Sequence, residues 1–176
     1  IHFLSQGSQS VPMVIRAASG SGTGASAQHS QSFENWFTHV PGLIVAMPSN
    51  AYDAKGILVS AVKNNNPVII FEPKSLYKTA TEVPDELYEV PLGVAKQVQS
   101  GDDLTIIAIG RMVEVAKEVA YNSSYSIEIM DPVTLSPLDI DSLSASALKT
   151  GHVLILTEAT KQSGISAEIF AQLIEA

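Results

Sequence analysis

Apolar positions along this chain gather into short, nearly continuous runs, separated by stretches with helical spacing. Residues 11–15, 43–47 and 67–71 are such runs, rich in branched side chains and bounded by Gly, Pro, Ser or Asn. That pattern predicts strands buried on both faces. Between the second and third runs, Ala51, Ala54, Leu58, Ala61 and Val62 share one helical face. They predict a long amphipathic helix capped by Ser49 and ended at Asn64-Asn65-Asn66. A shorter helix starts at Ser32, carries Phe33, Trp36 and Phe37, and stops at Pro41-Gly42. Strand–helix–strand–helix–strand with helix-length connections predicts a parallel sheet with right-handed crossovers.

The rhythm breaks over residues 72–100, where Pro73, Pro84 and Pro91 stand among acidic residues and read as an extended connector. It then resumes, with strands expected over 104–109, 127–130 and 153–157. Helices are expected over 113–121, from the Ser136-Pro137-Leu138-Asp139 capping pattern to Lys149, and over 164–176. The prediction is an α/β chain of two units: residues 1–84, a linker over 85–100, and an unfinished second unit over 101–176.

Composition narrows the function. With 45% hydrophobic and 16% charged residues, the 176-residue chain is globular, and its net charge of −8 argues against nucleic acid or an anionic membrane as partner. It has no cysteine, which excludes disulfides and thiolate metal sites. No apolar run approaches the roughly 20 residues of a membrane-spanning helix. Ile1-His2-Phe3-Leu4 carries neither an initiator Met nor a basic leader, so the chain reads as cut from something longer, with no targeting segment in view.

Candidate chemistry centres on the glycine-rich segment 17–27 and the adjoining residues 28–31. Gly20, Gly22 and Gly24 alternate with Ser and Thr, a composition that lets backbone approach a ligand closely. Gly22-Thr23-Gly24-Ala25-Ser26-Ala27 is similar to a dinucleotide-binding turn. The next helix is short, however, and the following strand ends in Met47-Pro48-Ser49 without an acid. There is no P-loop lysine and no G-x-S-x-G elbow, and His2, His29, His39 and His152 are scattered without ligand spacing. His29 is the strongest candidate. Flanked by Gln28, Ser30 and Gln31 at a loop–helix junction, it is suited to donate to a substrate oxygen; the alternative is a histidine satisfied by its own loop. Glu158 ends a strand where open α/β sheets place ligand groups, but capping of its own loop, 159–163, is the favoured reading. His39 and His152 read as structural.

A family resemblance runs through many separated motifs in register. Pro12-Met13-Val14-Ile15-Arg16, Ala27-Gln28-His29-Ser30-Gln31, Val40-Pro41-Gly42-Leu43 and Asp53-Ala54-Lys55-Gly56 carry it first. Asn66-Pro67-Val68, Phe71-Glu72-Pro73-Lys74, Leu76-Tyr77, Pro91-Leu92-Gly93, Leu135-Ser136-Pro137-Leu138-Asp139 and Ala167-Glu168-Ile169 continue it. The chain resembles the beta subunit of the thiamine-diphosphate-dependent 2-oxo acid dehydrogenases, acting on pyruvate, branched-chain 2-oxo acids or acetoin. The resemblance implies the latter part of a parallel-sheet pyrimidine-binding domain, then the first part of a transketolase-type C-terminal α/β domain. It implies an alpha–beta heterotetramer with thiamine diphosphate shared between subunits, magnesium bound by the alpha subunit, and acyl transfer to a lipoyl group on an acyltransferase core. His29 matches the family's active-site histidine. Met13, Ala61, Asn64 and Asn66 match a potassium site built from backbone carbonyls. The glutamate that activates the cofactor lies upstream of this chain in the family, so no cofactor-binding residue is assigned here. Where the family often has Gly-Pro-Asn, this chain has Ala17-Ala18-Ser19.

Pyruvate is the favoured 2-oxo acid substrate, with branched-chain or acetoin enzymes as the alternatives. A single-chain transketolase-like enzyme and a non-catalytic binding module are the more distant ones. The expected location is cytoplasmic for a bacterial or archaeal source and the mitochondrial matrix for a eukaryotic one.

Overall fold

Val68, Ile69, Ile70 and Phe71 are all buried, and they form the heart of a strand, β3 (Val68–Pro73), flanked on both sides. The computed structural model describes residues 4–176. On one side of β3 lies β1 (Val14–Ser19) and on the other β2 (Ile44–Ala46), both parallel to it. Helix α1 (Glu34–Thr38) and the longer α2 (Ala51–Lys63) supply the connections, so the predicted parallel arrangement holds. A second sheet has β5 (Leu104–Ala108) parallel to both β6 (Ile127–Asp131) and β8 (Val153–Leu156). Its helices are α3 (Met112–Tyr121), α4 (Ile140–Thr150) and α5 (Ile165–Glu175). The chain is thus an α/β protein with two mainly parallel sheets. Among the described residues, no helix is long and apolar enough to cross a membrane.

Several local expectations are corrected. The first strand lies at 14–19 rather than 11–15, and it is a largely exposed edge, not a strand buried on both faces. Its ladder to β3 runs from Val14–Val68 to Ser19–Pro73, so backbone pairing draws in Arg16 and Ser19 despite their polarity. Ala17-Ala18-Ser19 is therefore strand, not loop. The connector at 85–100 contains a strand, β4 (Lys96–Gln99), antiparallel to β6. A three-residue strand, β7 (Thr134–Ser136), leaves the second half of the chain and pairs antiparallel with β2. The sheet orders are β1-β3-β2-β7 and β4-β6-β5-β8.

Two helix caps also move by a few residues. Asn50, not Ser49, caps α2, its side chain accepting the Asp53 N–H at 2.9 Å. Ser136 belongs to β7, and Asp139 caps α4 by accepting the Ser142 N–H at 3.2 Å. Val62 faces solvent rather than the apolar side of α2.

The largest buried cluster draws on both sheets. Val45, Met47, Ile69 and Phe71 pack with Ile107, Ile109, Leu143 and Ile165. At the carboxyl end of β5, Gly110 has φ +57, and a Cβ there would lie 2.7 Å from the Met47 sulfur. Glycine takes this left-handed conformation without strain and leaves Met47 its place between the two sheets' carboxyl ends.

Candidate functional site

The glycine-rich segment forms a closed loop. Its neck is the Gly20 N–H donating to the Gln31 carbonyl at 2.9 Å, so residues 20–31 leave β1 and return to nearly the same point before α1 begins. Ala27–His29 makes a single 3-10 turn inside it. The Ser30 hydroxyl donates to the Ser26 carbonyl at 2.8 Å, and the Ser26 hydroxyl to Gln28 Oε1 at 3.0 Å. These bonds shape the loop from within, and they occupy Gln28 with Ser26 rather than with the imidazole.

His29 ends this turn and faces solvent. It does not open a helix, because α1 starts only at Glu34. Its backbone carbonyl accepts the Lys74 ammonium, which comes from the turn just beyond β3. Among the described residues the imidazole makes no hydrogen bond, so it is not satisfied by its own loop. Both ring nitrogens are open to a reacting partner.

Glu158 follows β8, in the second sheet, and reaches the loop's neck. Its Oε1 accepts the Ser21 hydroxyl at 2.9 Å, and Arg111 Nε lies 3.6 Å from the same oxygen. Capping of its own loop falls instead to Thr157, whose hydroxyl accepts the Ala159 N–H at 3.1 Å. The favoured expectation for Glu158 is therefore corrected.

Beside it stands Glu34, only 1% exposed, with Oε2 lacking a hydrogen-bond partner. Burial pushes this carboxyl above its usual range, and the negative charge of Glu158 adds to the push. Ser19, whose hydroxyl is also unpartnered, lines the same small cavity together with Ser32 and Thr157. Its volume is about 10 Å³, room for roughly one water. The carboxyl ends of strands from both sheets converge here, which is where open α/β sheets place their sites.

The four potassium-site positions lie on one turn and its neighbouring strand ends. The Ala61 carbonyl accepts the Asn64 N–H at 3.1 Å, and the Met13 carbonyl accepts the Val68 N–H at 2.8 Å. The Asn64 side chain accepts the Asn66 N–H at 2.8 Å, and Asn66 Oδ1 is buried without a partner. A carbonyl that accepts one bond keeps a second lone pair. An all-oxygen neutral set of this kind suits a hard monovalent cation. Among the described residues no group of three His, Asp or Glu side chains could hold a metal. His2 lies outside the described residues.

Residues 93–176 match the family of the transketolase C-terminal domain, and residues 1–79 match that of the transketolase pyrimidine binding domain. The chain is built of these two domain types in succession, a transketolase-type pyrimidine binding domain and a transketolase-type C-terminal domain. Three curated relatives are similar to it along nearly its whole length. The chain is 42% identical to the pyruvate dehydrogenase E1 component subunit beta of Porphyra purpurea, over 99% of the chain and 54% of that protein. It is equally 42% identical to the corresponding subunit of Acholeplasma laidlawii, over 97% and 54%. The acetoin:2,6-dichlorophenolindophenol oxidoreductase subunit beta of Bacillus subtilis is also 42% identical, over 94% and 49%. The chain therefore spans about half the length of the curated relatives it matches. A solved structure described as a split gene transketolase, inactive beta4 tetramer, superposes with a TM-score of 0.78 at 24% identity, covering 94% of this chain and 54% of that one. At that identity the likeness speaks to the fold alone.

Residue chemistry alone does not single out Lys74, Arg111 or Glu34. Lys74 carries a signal, since it closes the Phe71-Glu72-Pro73-Lys74 motif. Arg111 and Glu34 carry none, because only the fold brings them to this loop.

Proposed function

We propose that this chain serves as the beta subunit of the decarboxylating component of a 2-oxo acid dehydrogenase, with pyruvate as substrate. The observation that carries the reading is the exposed, unpartnered imidazole of His29 on a loop held on both its departing and its returning arm. Such a group can move a proton to and from a partner's transferring group without first breaking a bond of its own. The names of the relatives support the reaction class.

Thiamine diphosphate, shared with an alpha subunit, supplies the carbanion chemistry when bound. The cavity at the strand ends, with room for a single water, is too small to hold it. This chain's contribution is to present His29 to the open side of a site completed by a partner, where an acyl group passes to lipoyl. Met13, Ala61, Asn64 and Asn66 would hold potassium through their carbonyls, steadying the turn between α2 and β3. Magnesium is assigned to the alpha subunit.

The test is His29→Ala in the enzyme assembled with its alpha partner. Decarboxylation, followed by reduction of an artificial dye acceptor, should survive far better than acyl transfer to lipoyl. Equal loss of both half-reactions overturns the assignment. A second substrate reading, acetoin, is favoured by the Bacillus subtilis relative of equal identity. Rates with pyruvate, acetoin and branched-chain 2-oxo acids on the same assembly decide between them.

A further inference from the structure

Residues 20–31 are rich in Gly and Ser, the composition with the most backbone freedom to lose. A histidine carried on such a segment would sample many positions unless something outside the loop held it. Two groups do so, and neither belongs to the loop. At the neck, Gly20 has φ +79 and lies so close to Glu158 that a Cβ would sit 2.8 Å from Oε2, while the Ser21 hydroxyl donates to Oε1 at 2.9 Å. Arg111, 3.6 Å away, balances the carboxylate's charge. On the returning arm, just before the neck closes at Gln31, the Lys74 ammonium binds the carbonyl of His29 itself. The loop springs from β1, Lys74 follows β3 of the same sheet, and Glu158 follows β8 of the other.

We propose that Glu158 and Lys74 are positioning residues that clamp the departing and returning arms of the 20–31 loop, so that the place of His29 is set by the junction of the two sheets. This rests on the assignment of His29 above. Both contacts are hydrogen bonds involving a charged group, the stronger class. A clamp of this kind matters to chemistry because small errors in the placement of a reacting group cost rate steeply.

The experiment uses the enzyme assembled with its alpha partner, with Glu158→Ala, Glu158→Gln, Lys74→Met and Lys74→Arg. Glutamine keeps an oxygen for Ser21, and arginine keeps a donor for the His29 carbonyl. Amide hydrogen exchange over residues 20–31 should quicken about tenfold or more in Glu158→Ala and Lys74→Met, the scale of one lost hydrogen bond to a charged group. It should stay near the parent rate in the conservative pair. Acyl transfer to lipoyl should fall by a similar factor while dye-coupled decarboxylation holds within about twofold. Should Glu158→Ala fail to assemble, Ser21→Ala removes the same neck bond with less disturbance.

Unchanged exchange in the truncating variants overturns the clamp. Faster exchange without selective loss of acyl transfer overturns its positioning role. His29→Ala breaks no hydrogen bond of its side chain, so it should leave loop exchange unaltered. A failure of the His29 assignment is thereby told apart from a failure of the clamp.

Discussion

Replacing Asp131 by asparagine should make the protein more stable, by an amount that grows as pH rises toward about 7 and then levels off. Asp131 ends β6 with none of its surface exposed. Its Oδ1 accepts the Val133 N–H at 2.9 Å. The cross-strand neighbour, Lys96, turns instead to Asp53 on α2, at 3.0 and 3.1 Å from the two carboxylate oxygens. Burial therefore dominates and pushes the Asp131 carboxyl up to about 7, aided by the charge of Asp53 and resisted by the Ser49 hydroxyl, the Val133 amide and Lys96.

The folded state thus holds this proton more tightly than the unfolded chain, whose aspartates release theirs near the ordinary value of 3.8. The stabilisation is complete below about pH 4, is lost progressively as pH rises, and is gone above about pH 7. Three units at about 1.4 kcal/mol each give roughly 4 kcal/mol in all, of which about 2.5 kcal/mol falls between pH 5 and 8. Asparagine is neutral throughout and can still accept the Val133 N–H. Urea unfolding of the parent and Asp131→Asn at several pH values in that range measures the difference directly. The gap between them should widen by about 2.5 kcal/mol toward pH 8. A gap that stays constant across the range would refute the buried, proton-holding state of Asp131.

Two further outcomes are expected. Exchanging potassium for choline should lower the melting temperature of the assembled enzyme; equal melting in potassium, sodium and choline contradicts the carbonyl site. Leu143 is fully buried in the cluster shared by both sheets, so Leu143→Ala should cost about 3 kcal/mol in urea unfolding, through lost apolar contact and the cavity left behind.

The central strands were legible because burial on both faces writes itself as an unbroken apolar run. Val68 to Phe71 and Ile106 to Ala108 are of that kind, and both fall where the pattern put them. Edge strands carry no such signature. Lys96-Gln97-Val98-Gln99 is polar at three of four positions, and it is a strand only because β6 offers a free ladder beside it. Thr134-Leu135-Ser136 is too short for any period to show, and its partner, β2, lies far back in the chain. Ser49 and Asn50 are both good caps in adjacent positions. Which one serves depends on which reaches the Asp53 amide, a matter of the turn's path rather than of residue type.

The site divides along the same line. His29 stood out because its neighbours repeat a family motif, and the glycines before it announce a loop. The groups that hold that loop were hidden, because Ser21 and Glu158 are 137 residues apart and His29 and Lys74 are 45 apart. No local pattern can encode such pairs. They form because β7 is added to the first sheet from the second half of the chain, and because one apolar cluster is shared between the sheets. That shared packing brings the carboxyl ends of β1, β3 and β8 together, so the loop meets a carboxylate from one sheet and an ammonium from the other. A residue legible by itself, His29, thus depends for its position on contacts that only the assembled fold supplies.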